Sequence, residues 1–379
     1  MTDLHGVLHR YVDDGTYPGA VALIAQGDRV EVAAVGSVAV GGPPMTEDSI
    51  FRLASITKPI TAAAVLMLID DGVLRLDDPV ARWLPELARP TVVRTPAAPI
   101  DDVVPADRPI TVFDLLSSQA GYGFAADFGL PSIQALATVQ TDGRHPRSFP
   151  PAGEWTARLG ALPLAYQPGA AWLYDTCSTL QGVLVERVTG GTLPEFLEAR
   201  LFGPLGMADA AFWVPPAKRA RMTSYYRPGL TLVDGPDGEW SSPPEFALGN
   251  GGLAGTAHDW LAFGRLLLRG GVTAGGRRLL SADSVRRMTT DHTTPAQREI
   301  GSLFLDGQGW GFGGSVDIAR TEPWNVPGRY GWVGGTGTSA HIEPSSGTVA
   351  ILLTQLGAES PAVPPWMRDF WLYAAGYYQ

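Results

Sequence analysis

The spacing of apolar residues divides the chain into a strand-rich beginning, a helical middle and a strand-rich end. Residues 2–14 have the pattern of a short helix, and residues 21–36 form two apolar runs around a Gln-Gly-Asp turn, which predicts a β-hairpin. Apolar positions recur at helical spacing through much of residues 110–206. After residue 300, the segments GWGFGGSVDI, GTSAHIEP and TVAILLTQ alternate or run apolar as strands do, and residues 366–378 predict a closing helix.

Strands at both chain ends around a helical middle predict an α+β fold. We expect one antiparallel sheet built from both ends, in an α/β lobe formed by residues 1–55 and 300–379. Residues 56–299 would form a second, mostly helical lobe. An active site would lie between the two lobes, where ligand sites commonly occur.

The composition excludes several classes of function. The 379 residues carry a formal net charge of -10, which predicts repulsion from nucleic acid and from anionic membrane surfaces. The N-terminal sequence lacks the pattern of a secretory signal, and the most apolar stretch, residues 60–69, is too short to span a membrane, so we expect a cytoplasmic protein. A single cysteine, Cys177, excludes internal disulfides, and the six histidines form no metal-binding motif, so we predict no metal and no cofactor.

A Ser-x-x-Lys motif formed by Ser55 and Lys58 is the first candidate for chemistry. It follows an extended segment and begins an apolar helical pattern that ends at Gly72. The spacing places the lysine one turn from the serine hydroxyl, whose proton it can accept if burial leaves the amine partly neutral. Pro59 disfavours helical geometry at the preceding residue, so we expect an irregular helix start. The motif alone also fits an ordinary solvated helix start.

The residues around this motif resemble the active-site segment of the serine β-lactamase-like superfamily, which includes class C β-lactamases, D-alanyl-D-alanine carboxypeptidases and family VIII carboxylesterases. The resemblance is closest to the family VIII carboxylesterases. It implies a β-lactamase/transpeptidase-like fold and a serine hydrolase that needs no cofactor. Matches occur in the order that the family requires, at residues 51–62 (FRLASITKPITA), 115–121 (LLSSQAG), 168–174 (PGAAWLY), 251–259 (GGLAGTAHD) and 330–334 (YGWVG).

The resemblance implies that Tyr174 relays protons beside Ser55 and Lys58. The family has a Tyr-x-Asn element at this place, whereas here Thr176 stands in the position of the asparagine. A tyrosine has a reference pKa of about 10, so a tyrosine base requires a nearby cation, which Lys58 could provide. Either Tyr174 or Lys58 could therefore be the general base.

Trp332 stands where β-lactamases have the lysine of a Lys-Thr-Gly element, and the segment resembles the Trp-Gly-Gly of family VIII esterases. An indole offers an apolar wall and one N–H donor, which suits a neutral ester or amide better than an anionic β-lactam. By resemblance, Trp332 and Gly334 contact the substrate, and the backbone N–H groups of Ser55 and Gly335 form the oxyanion hole. A register shifted by one residue would move that second donor to Thr336.

The favoured function is hydrolysis of small to medium carboxylic esters through an acyl-enzyme on Ser55, with water or another alcohol as acceptor. The partner is then a small-molecule ester or amide, while the oligomeric state stays open. A β-lactamase, a D-amino-acid peptidase or an amidase would use the same groups, and a non-catalytic binding protein would have lost turnover. No Gly-x-Ser-x-Gly elbow occurs, which argues against an α/β-hydrolase. Gln119 matches a position where the family sometimes has a polar pocket residue, although an ordinary loop glutamine is the favoured interpretation. Cys177 is more typical of packing than of nucleophilic attack.

Overall fold

A computed structural model describes residues 3–141 and 143–376 of the chain. The strands in these ranges are β1 (Gly19–Gln26), β2 (Arg29–Gly36), β3 (Phe51–Arg52), β4 (Thr91–Val93), β5 (Val103–Pro105), β6 (Tyr225–Arg227), β7 (Thr231–Asp234), β8 (Ala254–Gly255), β9 (Gly309–Trp310), β10 (Ser315–Val316), β11 (Tyr330–Gly334), β12 (Thr338–Glu343) and β13 (Thr348–Thr354). The α-helices are α1 (Leu4–Asp13), α2 (Lys58–Asp70), α3 (Val112–Leu116), α4 (Pro131–Ala137), α5 (Ala152–Gly160), α6 (Thr176–Thr189), α7 (Leu193–Leu197), α8 (Gly203–Leu205), α9 (Ala257–Leu268), α10 (Ala282–Met288), α11 (Pro295–Ile300), α12 (Ser302–Leu305) and α13 (Pro365–Gly376). Position 2 of the predicted first helix and positions 377–378 of the predicted last helix lie outside the described residues.

Seven strands form one antiparallel sheet in the order β2-β1-β13-β12-β11-β10-β9. The pairing of β1 with β13 joins the two ends of the chain, with Ala20 opposite Thr354, which confirms the prediction of a sheet built from both ends. The predicted strand at GWGFGGSVDI is shorter than expected. It is split into β9 and β10 because Gly313 has a φ of 78°, and an added Cβ there would lie 2.6 Å from the carbonyl oxygen of Lys58.

Helices cover both faces of this sheet. Successive side chains of β1 belong to different cores, as the alternation of a strand requires: Ala20, Ala22 and Ile24 lie in the cluster that contains residues of α1 and α13, whereas Val21 and Leu23 lie in the cluster that contains residues of α9. Because both faces are covered, β1 is a continuous apolar run. The predicted boundaries assign α9 to the helical lobe, but the structure places it against β1, β12 and β13.

Two of the remaining helices, α6 and α10, pack against α2. Helix α2 has buried apolar residues on all sides, which is typical of a central helix. Among the described helices, we find none with both the length and the apolar character needed to cross a bilayer. The fold therefore holds the start of α2, where the Ser-x-x-Lys motif lies, between the sheet and the surrounding helices.

Candidate active site

Ser55 lies in a short 3-10 turn, Ala54–Thr57, that joins β3 to α2. Ala54 has a φ of 48°, a left-handed conformation that is uncommon for alanine, so backbone strain is located directly before the serine. The α-helix begins at Lys58 with Pro59 in its first turn. The irregular helix start expected from the sequence is thereby confirmed.

The turn between β11 and β12 is hydrogen-bonded to the segment that precedes Ser55. The hydroxyl of Thr336 donates to the carbonyl oxygen of Arg52 at 2.7 Å, and that of Thr338 donates to the carbonyl oxygen of Leu53 at 2.8 Å. Gly334 permits this approach, since an added Cβ would lie 2.7 Å from the Leu53 oxygen. The backbone of the turn is therefore brought to the serine segment.

The side chains of Ser55, Lys58 and Tyr174 meet at the serine oxygen. Lys58 Nζ lies 2.9 Å from Ser55 Oγ, and Tyr174 Oη lies 2.8 Å from the same atom. Tyr174 is distant in sequence and comes from the segment directly before α6. The indole Nε1 of Trp332 donates to Tyr174 Oη at 2.8 Å, so its N–H is bonded to the tyrosine, while contact of Trp332 with a substrate stays a prediction.

Lys58 is fully buried, and its amine lies beside a carboxylate. Nζ is 2.7 Å from Oδ1 of Asp175 and donates to the carbonyl oxygen of Asn250 at 2.7 Å. Burial lowers the pKa of Lys58, but the nearby charge of Asp175 and the oxygen of Tyr174 outweigh burial, so the pKa is raised above its ordinary value. The contact with the Asp175 carboxylate therefore favours the charged form of Lys58.

Two adjoining cavities open beside the serine. The first, which we call the serine cavity, has a volume of about 310 Å³ and is lined by Ser55 and by aromatic rings that include Phe128. The second, the adjacent cavity, has a volume of about 300 Å³ and is lined by Trp332, Gly334 and the segment 358–364. Four residues line both cavities, so the two form one cleft around the phenol: Arg144, Tyr174, Phe304 and Gly335.

The predicted binding residues differ in their placement. Trp332 and Gly334 line the adjacent cavity, Gly335 lines both cavities, and Thr336 lines the serine cavity. Gln119 requires a correction, because its buried amide lies outside the cavity linings. Its Nε2 donates to the carbonyl oxygen of His292, and its Oε1 accepts from Gln297 at 3.0 Å.

Cys177 is buried inside α6, and burial raises the pKa of its thiol to about 12. A thiol in this state is a poor nucleophile, in agreement with the packing role expected from the sequence.

Sequence reasoning missed four polar residues of the site. Asp175 and Asn250 contact Lys58, Gln140 donates to the Asp175 carboxylate, and Arg144 lines both cavities. Two of them had a signal: Asp175 is the middle residue of the Tyr-Asp-Thr element, and Asn250 directly precedes the Gly-Gly segment that matches the family. Gln140 and Arg144 lie in a loop region without a recognisable motif.

Comparison with known proteins gives consistent matches over nearly the whole chain. A sequence model of the beta-lactamase family matches residues 4–369, which confirms the resemblance found in the sequence. Protein Rv1367c of Mycobacterium tuberculosis is 36% identical and covers 90% of this chain and 87% of its own length. Esterase EstB of Burkholderia gladioli is 32% identical and covers 91% of this chain and 88% of its own length. Among solved structures, EstCE1, a hydrolase with promiscuous acyltransferase activity, aligns with a TM-score of 0.79 at 23% identity over 97% of both chains, which supports the same fold.

Proposed function

The chain belongs to the beta-lactamase family, its relatives include the esterase EstB, and we propose that it hydrolyses small to medium carboxylic esters through an acyl-enzyme on Ser55. One observation carries the proposal: Ser55 Oγ lies within 2.9 Å of both Lys58 Nζ and Tyr174 Oη at the wall of an open cavity. A nucleophile in contact with proton-transfer groups is the arrangement that covalent catalysis requires.

The acylation step follows from these contacts. Ser55 Oγ attacks the ester carbonyl carbon, its proton passes to the catalytic pair of Lys58 and Tyr174, and the proton is then given to the departing alcohol. The backbone N–H groups of Ser55 and Gly335 are our candidates for the oxyanion hole, because both residues line the serine cavity. Thr336 lines the same cavity and is the alternative second donor. Water then attacks the acyl-enzyme by the reverse sequence of proton transfers.

The cavity linings support a substrate with apolar groups. Phe124, Phe128 and Phe304 form a contiguous aromatic wall, with neighbouring ring centroids 6.0–6.1 Å apart. The Lys-Thr-Gly cation of β-lactamases is replaced by Trp332, which lines the adjacent cavity. Together, these features favour neutral esters of limited size.

Substitution of Ser55 tests the proposal. Ser55→Ala should abolish turnover of p-nitrophenyl butyrate and labelling by a serine-directed phosphonate, while Tyr174→Phe should lower kcat at least about 100-fold. Ser284→Ala is the matched control, because it also removes a buried hydroxyl, one that donates to Asp70 away from the cavities. Retained turnover in Ser55→Ala would refute the proposal.

A second candidate, hydrolysis of a carboxylate-bearing amide such as a β-lactam, has one observation in its favour. The guanidinium-bearing residue Arg144 lines both cavities and so supplies a cation in the cleft. Turnover of a chromogenic cephalosporin at a rate comparable to that of short-chain esters would favour this candidate over the esterase. The cytoplasmic location remains a prediction from the sequence, and so do the two-lobe boundaries apart from α9, which packs against the sheet.

A further inference from the structure

Asp175 has an unusual backbone conformation directly after Tyr174. Its φ of 85° and ψ of −60°, with Thr176 N–H donating to Tyr174 O at 3.2 Å, form a three-residue turn of a kind that is rare and strained. Asp175 is also the N-cap residue of α6, a position where aspartate usually accepts a bond from the helix backbone, yet its side chain makes no such bond. In this conformation the Asp175 carboxylate does not cap α6 and is available for contacts elsewhere.

Both oxygens of the Asp175 carboxylate are bound inside the site. Oδ1 lies 2.7 Å from Lys58 Nζ, while Oδ2 accepts from Asn250 Nδ2 at 2.8 Å and from Gln140 Nε2. The side chains of Asp175 and Lys58 are only 18% and 1% exposed, so solvent screens their attraction weakly. Two amides thus hold one carboxylate oxygen while the other faces the lysine.

The number of protons on Lys58 decides which group can act as base. A neutral amine has one lone pair that could accept the Ser55 proton, whereas an ammonium has three donors and no lone pair. Nζ lies within 2.9 Å of three oxygens, from Ser55, Asn250 and Asp175, and the last is the carboxylate oxygen that favours the ammonium.

We propose that Asp175 is a positioning residue that keeps Lys58 charged, which leaves Tyr174 as the group that takes the proton from Ser55. This inference rests on the proposed function. The Tyr174 oxygen can bear negative charge because Trp332 Nε1 donates to it and Lys58 Nζ lies 4.7 Å from the centroid of its ring. Asp175 acts through Lys58 and does not touch the substrate in this mechanism.

Proton transfer then balances without a further reactant. With the Tyr174 oxygen deprotonated, Ser55 Oγ bonds to the carbonyl carbon while its proton moves to that oxygen and the carbonyl electron pair moves onto the oxyanion. When the C–O bond to the alcohol breaks, the phenol returns that proton to the leaving oxygen. Lys58 keeps its three protons throughout.

The pH profile of Asp175→Asn tests this assignment. The ionisable groups that act on Lys58 are Asp175 and Tyr174, and Arg144 is the other charged group in the same cavity. Without the carboxylate, burial lowers the pKa of Lys58, so the ammonium is lost at a lower pH. We expect the alkaline limb of the kcat profile to move to lower pH and kcat at about pH 9 to fall at least about tenfold. Asp175→Glu, which retains the charge, should restore part of the wild-type profile.

Asp114→Asn is the matched control for Asp175→Asn. Asp114 is also buried and ion-paired, with Arg108, but it lies outside the cavity linings. This control should keep the wild-type pH profile even if its thermal stability falls. Circular dichroism and thermal unfolding of every variant show whether lost activity reflects lost folding.

Two results would overturn the inference. If Asp175→Asn had a higher kcat than wild type and the acid limb of its kcat profile moved to lower pH, Lys58 would be the base. Loss of the carboxylate would then have increased the share of neutral Lys58, whose lone pair can accept the proton. If activity fell without a change in the shape of the profile, Asp175 would serve the fold alone. The pH profiles use only the part of the hydrolysis that is lost in Ser55→Ala. Failure of the proposed function would therefore be seen separately, as turnover that remains in Ser55→Ala.

Discussion

Replacing Trp332 by phenylalanine should slow catalysis while retaining an aromatic ring. Tyr174 Oη then loses the indole donor that lies at 2.8 Å. A hydrogen bond to a charged group contributes about 1.5–3 kcal/mol, so kcat should fall roughly 10- to 150-fold if negative charge develops on this oxygen. A bond to a neutral phenol contributes only about 0.5–1.5 kcal/mol, which corresponds to roughly 2- to 12-fold.

Trp310→Phe provides the matched control. The Trp310 ring is buried and lies edge-on to Trp332, with a centroid distance of 4.8 Å. Its Nε1 has no hydrogen-bond partner in the part of the chain that the structure describes, so its replacement removes similar apolar area without removing a donor from Tyr174. Any loss from changed packing should therefore occur in both variants.

Steady-state hydrolysis of p-nitrophenyl butyrate measures both effects, with thermal unfolding as a check on folding. We expect Trp332→Phe to lower kcat and to change KM little, because the lost bond matters mainly in the transition state. Equal losses of kcat in the two variants, or a rise in KM alone, would refute the assignment of the Trp332 N–H to the catalytic tyrosine.

Two further predictions concern stability. Burial and the charge of Arg329 hold the pKa of His341 well below its ordinary value. Only the unfolded state therefore binds a proton at this residue as the pH falls below about 6.5. The contribution of His341 should lower the free energy of unfolding by about 1.4 kcal/mol between about pH 7.5 and 5.5. In urea titrations, His341→Gln should remove this pH dependence of the unfolding free energy. The control variant His258→Gln, at an exposed histidine, should keep it. Equal pH dependence in the two variants would contradict the assignment to His341. Asp234→Ala should cost about 3–5 kcal/mol in the same assay, because it leaves the buried Arg52 guanidinium unpaired, and a loss below about 1 kcal/mol would contradict this reasoning.

The sequence predicted those parts of the molecule that depend on local spacing. Ser55 and Lys58 lie one helical turn apart in any helix that contains both, and two apolar runs around a Gln-Gly-Asp turn in residues 21–36 sufficed for the hairpin. The order of the family motifs along the chain predicted that Tyr174 lies beside Ser55, although no local sequence pattern relates the two residues. Gly313 shows the limit of alternation, because a positive φ and a close backbone contact divide an otherwise suitable strand.

The contacts around Lys58 could not be predicted, because they depend on three distant backbone segments. Asp175 reaches the amine through a strained turn, and Asn250 and Gln140 hold its carboxylate from segments of other parts of the chain. Gln119 was misplaced for a similar reason, since its amide pairs with Gln297, far along the sequence. Such pairings follow from tertiary packing, for which a single sequence has no periodic signal.

The pairing of β1 with β13 also determines how late in synthesis the proposed active site can be completed. β1 is made long before its partner β13 and before the turn that carries Gly335. Contacts of such long sequence separation form slowly, and until they form the apolar sides of the hairpin and α2 stay exposed to chaperones and to aggregation. In the proposed mechanism, Ser55 is therefore synthesised long before Gly335, the candidate second oxyanion donor, and stays without that donor until the β11–β12 turn has been made.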